Sequence, residues 1–257
     1  MARRVDYDAI ANVYDRRYER NEYGDVERAL LHFVGSGTPR VLEVGCGTGH
    51  WLELLARHGV TNLSGLDPSA RMLDIARRRV PAADLRQGVG AALSWPDASM
   101  DRVFCVNALH HMADPAGFVA EARRVLDAGG GLLTVGLDPH VGIDRWVVYD
   151  CFDGTLDADR RRYPPAATIG GWLAAAGFGC VATVVAMHRP VVMSAQAALD
   201  NGYLDRAATS QLSLLSDAAY RRGIERITAR IAAAEQRGET FEIRSDLRLY
   251  ATAGWAR

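Results

Sequence analysis

Short apolar runs alternate with amphipathic helical patterns through the first two thirds of the chain. Runs of this length are typical of buried strands, and the helical patterns between them predict a parallel sheet joined by crossover helices. The chain therefore favours an α/β fold. The predicted strands of this part lie at 41–44, 63–66, 84–87, 102–106 and 132–135.

The last third of the chain departs from this alternation. Residues 139–167, rich in aromatic, Asp and Arg residues, predict one inserted segment, and residues 194–238 predict a second, helical insertion. A sixth strand is predicted at 181–186 and a final strand near 241–251. In that final strand every odd position except Ser245 is apolar, which predicts an antiparallel strand with one face in water.

The composition is that of a soluble globular protein, since 49% of the 257 residues are hydrophobic and 24% are charged. We expect a single domain over 1–257, with its core at about 40–136 and 168–255 and an N-terminal covering helix at about 5–35. The net charge of −1 argues against nucleic acid as a partner. No apolar run reaches the roughly 18 residues that a membrane span needs. The four scattered cysteines show no metal-ligand spacing, so we expect a cytoplasmic protein without a metal site.

A glycine-rich segment, residues 45–49, follows the first predicted strand, and a helical pattern begins directly after it. Glycines at such a turn let backbone amides approach a ligand, and the helix N-terminus favours an anionic group, either a pyrophosphate or a carboxylate. Asp67 ends the next strand about 20 residues on, where a carboxylate can accept both hydroxyls of a ribose. Together they indicate a nucleoside-containing ligand. The alternative for the glycine segment is a tight strand-to-helix turn, and the alternative for Asp67 is a helix cap.

Two further residues distinguish the candidate ligands. A dinucleotide site prefers a third glycine at the position that His50 occupies. Glu43 lies within the apolar first strand, a costly placement unless its carboxylate meets a cation or hydrogen-bond donors. The ammonium of a methionine moiety would suit Glu43. The pattern therefore favours S-adenosylmethionine, and a nucleotide-dependent oxidoreductase is the alternative.

Residues 41–49 resemble the first motif of class I S-adenosylmethionine-dependent methyltransferases, and residues 65–69 are similar to the motif that follows it. The segments 93–111 and 123–130 resemble the adenine-side region, fourth strand and next helix end of the small-molecule, UbiE-like group. The resemblance covers about 40–136. It implies a Rossmann-like three-layer sandwich with a seven-stranded, mostly parallel sheet whose last strand is antiparallel, here with helical insertions.

The same resemblance implies where the cofactor, S-adenosyl-L-methionine, lies. Relatives usually carry an acidic residue two places after the third strand for the adenine amino group, and this chain has Val89 there, so neighbouring backbone groups are the candidates. Residues 7–18 resemble the N-terminal helix that covers the cofactor. The candidate cofactor residues are Tyr14, Tyr18, Glu43, Gly45, Cys46, Gly47, Gly49, Asp67, Pro68, Met72, Gly88, Val89, Gly90 and Asn107.

Methyl transfer from a sulfonium mainly needs a nucleophile held in line with the methyl group and exclusion of water, so a base is optional. The candidate catalytic residues are His110, His111 and Tyr14, because a histidine of near-neutral pKa can take a proton from a hydroxyl or amine. Packing against the sheet is the alternative for either histidine.

We expect the acceptor to be a small-molecule metabolite methylated on an O, N or C atom. Four aromatic residues of the first insertion are candidates to line its pocket, and simple packing is their alternative role. A protein that holds the cofactor without transferring a methyl group is the alternative function, and homodimerisation is left open. The four aromatic residues are Trp146, Tyr149, Phe152 and Tyr163.

Overall fold

The computed structural model describes residues 5–16, 18 and 23–257. Its described part is organised around an eight-stranded sheet with the neighbour order β3-β2-β1-β4-β5-β8, in which β6 and β7 also pair with β8. The strands are β1 Val41–Val44, β2 Leu63–Asp67, β3 Asp84–Gln87, β4 Met100–Val106, β5 Leu126–Leu137, β6 Arg145–Trp146, β7 Phe178–Ser194 and β8 Glu242–Ala256.

Strand directions follow the expected pattern. The pairings among β1 to β5 are all parallel, and β8 is antiparallel to both β5 and β7. This confirms the mostly parallel sheet with an antiparallel last strand. The sheet has eight strands instead of seven because Arg145–Trp146 of the first insertion forms a two-residue strand against Ser245 and Asp246 of β8.

The sixth predicted strand is longer than its apolar pattern indicated. The prediction covered 181–186, whereas β7 spans Phe178–Ser194 and pairs with β8 as far as Ser194 and Glu242. The outer half of β7 exposes Val191 and Val192, which are consecutive and therefore point to opposite faces. His188, Arg189 and Pro190 interrupt the apolar run after Met187, and proline is uncommon inside strands, so the sequence pattern did not indicate the outer half.

Helices cover both faces of the sheet. Several begin at a side-chain cap, such as Ser69, whose hydroxyl accepts from the Met72 amide, and Asp114, whose carboxylate accepts from the Gly117 amide. The helices are α1 Tyr7–Ile10, α2 Gly24–Val34, α3 His50–Arg57, α4 Ala70–Arg79, α5 Pro115–Val125, α6 Val147–Cys151, α7 Thr155–Arg162, α8 Ala166–Ala175, α9 Ala195–Asp200, α10 Ser210–Ser213 and α11 Asp217–Glu235.

Alternate residues of the central strands face two separate hydrophobic cores. Val41 and Phe104 join the core under α2, α3 and α4, whereas their neighbours Leu42 and Val103 join the core under α5 and α8. This is the three-layer, Rossmann-like arrangement that was expected. A third core lies among the insertions, around Phe152.

The N-terminal covering segment consists of separate pieces within its described residues. Helix α1 ends at Ile10, a 3₁₀ turn spans Ala11–Val13, and α2 begins at Gly24, so a single helix over 5–35 is not formed. Residues 17 and 19–22 lie outside the described residues. No described helix is both long and apolar enough to cross a membrane.

Candidate active site

The glycine loop makes a tight turn between β1 and α3. Gly45, Gly47 and Gly49 have positive φ angles of 79°, 50° and 79°, which glycine adopts at little cost. A Cβ atom on Gly45 would overlap the Cβ atom of Ala108, which follows β4. The loop therefore needs glycine for its backbone conformation and for its close approach to the end of β4.

A cavity of about 270 Å³ lies beside this loop, at the carboxyl ends of β1, β2 and β4. Its wall includes backbone groups, apolar side chains and the Asp67 carboxylate, a mixture that suits a nucleoside. We call it the loop cavity. Its lining includes ten of the predicted cofactor residues, which are Tyr14, Gly45, Gly47, Asp67, Pro68, Met72, Gly88, Val89, Gly90 and Asn107.

Asp67 is held rigidly on the wall of the loop cavity. One carboxylate oxygen accepts from the Gly47 amide at 2.8 Å and the other accepts from the Ser69 amide at 2.9 Å. Burial raises the pKa of Asp67, and these two hydrogen bonds limit the rise. Because a carboxylate oxygen can accept more than one hydrogen bond, both oxygens retain capacity for ligand hydroxyls.

Glu43 is buried behind the loop. Its side chain is 1% exposed, and no hydrogen-bond donor in the described part of the chain reaches its Oε2 atom. Burial raises the pKa of the Glu43 carboxyl well above its ordinary value, and the charge of Asp67 raises it further. Glu43 does not line the loop cavity. Its contact with a ligand ammonium stays a prediction.

Hydrogen bonds and an ion pair of two aspartates hold the N-terminal segment over the loop cavity. Asp8 accepts from the Ser69 hydroxyl at 2.5 Å, and Asp15 accepts from the Thr48 hydroxyl at 2.5 Å and pairs with Arg79. These contacts join the segment to Thr48 within the glycine loop and to Ser69, two residues after Asp67. They hold the neighbouring Tyr7 and Tyr14 on the cavity wall.

A second cavity, of about 190 Å³, adjoins the loop cavity and extends towards the two insertions. We call it the insertion cavity. Tyr7, Tyr14, Asn107 and His111 line both cavities. A molecule in the insertion cavity would therefore meet a ligand of the loop cavity at these four residues.

Two of these shared residues form a short hydrogen bond. The Tyr7 hydroxyl lies 2.5 Å from Nε2 of His111, and the two rings meet edge to face at 5.2 Å between centroids. His110 lines the insertion cavity but not the loop cavity, and its ring stacks on Tyr163 at 3.8 Å. Asn107 has a φ angle of 51°, a strained conformation of the kind that clusters at functional sites.

Known proteins match this chain over its first half. A family model described as a methyltransferase domain matches residues 42–134. Demethylmenaquinone methyltransferase of Deinococcus radiodurans is 37% identical over 138 residues, which make up 52% of this chain and 56% of that protein. The 27-O-demethylrifamycin SV methyltransferase of Amycolatopsis mediterranei is 30% identical over 148 residues, 49% of this chain and 54% of that protein. The chain spans little more than half the length of these curated relatives.

Among solved structures, phosphoethanolamine N-methyltransferase 2 of Haemonchus contortus, in complex with S-adenosyl-L-methionine, has a similar fold. Its TM-score is 0.62 at 16% identity, over 97% of this chain and 57% of that one. Residues 42–134 thus match the methyltransferase domain family, and the chain is similar in sequence to methyltransferases over about half its length. The cofactor of this methyltransferase family is S-adenosyl-L-methionine.

Four of the predicted cofactor residues do not line the loop cavity, and Glu43 is one of them. Cys46 is buried in the core, and Gly49 packs closely on Ala76 of α4 as it begins α3. Tyr18 stacks on His50 at 3.6 Å between ring centroids. Packing accounts for the positions of Cys46, Gly49 and Tyr18, so the direct contact of these residues with the cofactor stays a prediction.

Sequence reasoning missed part of the candidate site. Tyr7 was not a candidate, because its partner His111 lies 104 residues away and no local pattern connects them. Of the four aromatic residues predicted in the first insertion, Trp146 and Tyr163 line the insertion cavity. Tyr149 and Phe152 do not, and Phe152 lies instead in the core of the insertions.

Proposed function

We propose that the chain transfers a methyl group from S-adenosylmethionine to a small molecule, with the cofactor in the loop cavity and the acceptor in the insertion cavity. The observation that carries this proposal is the set of residues common to both cavities. Donor and acceptor would meet where His111 and Tyr7 form their hydrogen bond. Such juxtaposition is the main requirement of methyl transfer from a sulfonium.

The residues of the loop cavity fit the cofactor. Asp67 would accept the ribose hydroxyls, and the loop amides near Gly45 and Gly47 would receive the carboxylate. The backbone at Gly88–Gly90, with no acidic side chain, would receive the adenine. The partnerless Oε2 atom of Glu43 supports an ammonium nearby, because a buried carboxylate oxygen is costly to leave unsatisfied. When bound, the cofactor supplies a methyl group on a positively charged sulfur.

His111 would act as the base, through Tyr7. The acceptor hydroxyl passes its proton to the Tyr7 oxygen while the Tyr7 hydroxyl proton moves to Nε2 of His111, so the acceptor oxygen attacks as an anion. The aromatic walls exclude water from this step. An amine acceptor would pass its ammonium proton along the same route and attack as the neutral amine.

The names of the relatives suggest candidate acceptors, and one of them names an oxygen as the methylated atom. By their names, one relative acts on demethylmenaquinone and another on 27-O-demethylrifamycin SV. We infer that a ring hydroxyl is the favoured nucleophile here, and an amine is the second candidate, since the structural neighbour is a phosphoethanolamine N-methyltransferase. The oxidoreductase alternative is disfavoured by His50 at the third glycine position.

The experiment is a comparison of His111→Ala with His58→Ala. His58 is an exposed histidine at the end of α3, away from both cavities. We expect His111→Ala to lower the release of S-adenosylhomocysteine by about 10²- to 10⁴-fold with an unchanged cofactor Kd. His58→Ala should change neither the release nor the Kd. A protein that only holds the cofactor would bind it and release no S-adenosylhomocysteine with any acceptor.

A further inference from the structure

The insertion cavity has a polar end remote from His111. A continuous wall of rings leads there, because His111 lies against His110 at 3.9 Å and His110 stacks on Tyr163 at 3.8 Å between ring centroids. The Tyr163 hydroxyl is 3.4 Å from Nε2 of Gln211, which also lines the cavity together with Ser210. The cavity therefore has a polar group at each end of an aromatic wall.

A buried carboxylate fixes the orientation of the Gln211 amide. Asp159 is fully buried, pairs with Arg162, and accepts from the Tyr149 hydroxyl at 2.7 Å. Nε2 of Gln211 lies 2.6 Å from the same carboxylate. A carboxylate only accepts hydrogen bonds, so the nitrogen of the amide must face Asp159 and its oxygen must lie on the other side.

The carbonyl oxygen of Gln211 retains capacity for a ligand. It accepts from the Ser210 hydroxyl at 3.3 Å, a long hydrogen bond that uses one of its two lone pairs. Gln211 itself is 6% exposed, so bulk water does not readily compete for this oxygen. A group that meets it must be a hydrogen-bond donor.

The walls between the two polar ends suit a flat, neutral molecule. Five of the nine tyrosines of the chain line this cavity. Among its described lining residues, the charged aspartate and arginine side chains are Arg16 and Asp205, which are both exposed and of opposite sign. A charged acceptor would therefore find no buried counter-charge on the wall.

We propose that Gln211 determines acceptor specificity, by accepting a hydrogen bond from a donor group of a neutral aromatic acceptor whose methylated hydroxyl lies at the opposite end. Asp159 is the positioning residue that holds the amide. This inference rests on the proposed function. In the reaction the aromatic oxygen bonds to the methyl carbon, the carbon–sulfur bond breaks to give S-adenosylhomocysteine, and the hydroxyl proton passes through Tyr7 to His111.

The test uses two stable probes of nearly equal shape, 2,6-dihydroxynaphthalene and 6-methoxy-2-naphthol, which lacks the second donor. After correction for the two equivalent hydroxyls of the diol, we expect the wild-type protein to prefer the diol by about tenfold in kcat/KM. In Gln211→Met, which keeps the side-chain length, that ratio should fall to about one through a higher KM for the diol, with kcat little changed.

Gln196→Met is the matched control, because Gln196 is exposed on α9 and bonds only to Asp200 among the hydrogen bonds described. It should leave the ratio unchanged. Gln211→Asn, which keeps a shorter amide, should give an intermediate ratio and serves if Gln211→Met does not fold. The Kd of S-adenosylhomocysteine should be the same in all four proteins.

Other outcomes separate the two proposals. An unchanged ratio in both Gln211 variants, or failure of the diol to bind the complex with S-adenosylhomocysteine in calorimetry, would overturn the role of Gln211. Turnover of histamine or ethanolamine with neither naphthol accepted would overturn the neutral aromatic class and leave methyl transfer standing. Absence of S-adenosylhomocysteine binding would instead defeat the proposed function itself.

Discussion

Replacement of Glu43 by glutamine tests the carboxyl group that is buried behind the glycine loop. The side chain is 1% exposed and no donor among the described residues reaches its Oε2 atom. Burial holds the pKa of this carboxyl well above the ordinary value near 4.5. In the unfolded chain the group loses its proton near pH 4.5, whereas the folded protein keeps it. The folded state therefore loses stability as the pH rises from that value to the raised folded-state pKa.

The magnitude follows from proton linkage. One proton retained only by the folded state costs about 1.4 kcal/mol of unfolding free energy per pH unit in that interval. In Glu43→Gln this cost is absent, because the amide does not titrate. The unfolding free energy of the cofactor-free variant should therefore rise relative to that of the wild type by about 1.4 kcal/mol for each pH unit between about 5 and the folded-state pKa of Glu43.

Denaturant unfolding at pH 5, 6, 7 and 8 measures this difference directly. Glu225→Gln is the matched control, since Glu225 is exposed on α11, and its profile should follow the wild type. Parallel profiles for the wild type and Glu43→Gln would refute the buried, partnerless state of the carboxyl group.

The cofactor should reverse this effect if its ammonium pairs with Glu43. Binding would then favour the ionised carboxylate and release the retained proton, so cofactor affinity should rise by up to about tenfold per pH unit. Calorimetry in buffers of different ionisation enthalpy counts the released proton. We expect about one proton released in the wild type and none in Glu43→Gln. Equal counts would remove Glu43 from the binding site.

Three further predictions concern other parts of the site. Gly45→Ala combines a positive φ with overlap on Ala108, so it should cost about 2–4 kcal/mol of unfolding free energy and abolish cofactor binding. Gly59→Ala, at a φ of 87° with open space around it, should cost about 1 kcal/mol and leave binding intact. Asp159→Ala leaves buried donors unpaired and should cost about 3–5 kcal/mol in denaturant unfolding. Asp8→Ala removes the hydrogen bond between the N-terminal segment and Ser69, so we expect about a fivefold higher cofactor Kd in calorimetry. An unchanged Kd would refute that role of Asp8.

The central half of the fold could be predicted because its signals are local. Strand β1 was predicted with its observed bounds, and Asp67 was expected at the end of the second strand, because an apolar run followed by glycines has few other structural solutions. The antiparallel direction of β8 followed from its alternation. These residues meet their partners through the fixed geometry of parallel strands.

The acceptor side could not be predicted in the same way. Tyr7 of the N-terminal segment reaches His111 over 104 residues, and Gln211 of the second insertion reaches Asp159 of the first over 52 residues. No sequence motif connects the members of either pair. The third core around Phe152 brings together residues of both insertions that are far apart in the sequence, such as Val147 and Ile227. The sequence could indicate that an aromatic pocket existed, but not which rings would form it.

The most direct test of the account is calorimetric titration of S-adenosylmethionine into the wild type and Asp67→Ala, followed by incubation with 2,6-dihydroxynaphthalene. Asp67 carries the ribose in the proposed site, and its two backbone hydrogen bonds fix its position. We predict 1:1 binding in the wild type, an affinity at least about tenfold weaker in Asp67→Ala, and release of S-adenosylhomocysteine with a methylated naphthol. Equal affinity in the two proteins, or binding without any methylated product, would contradict the account.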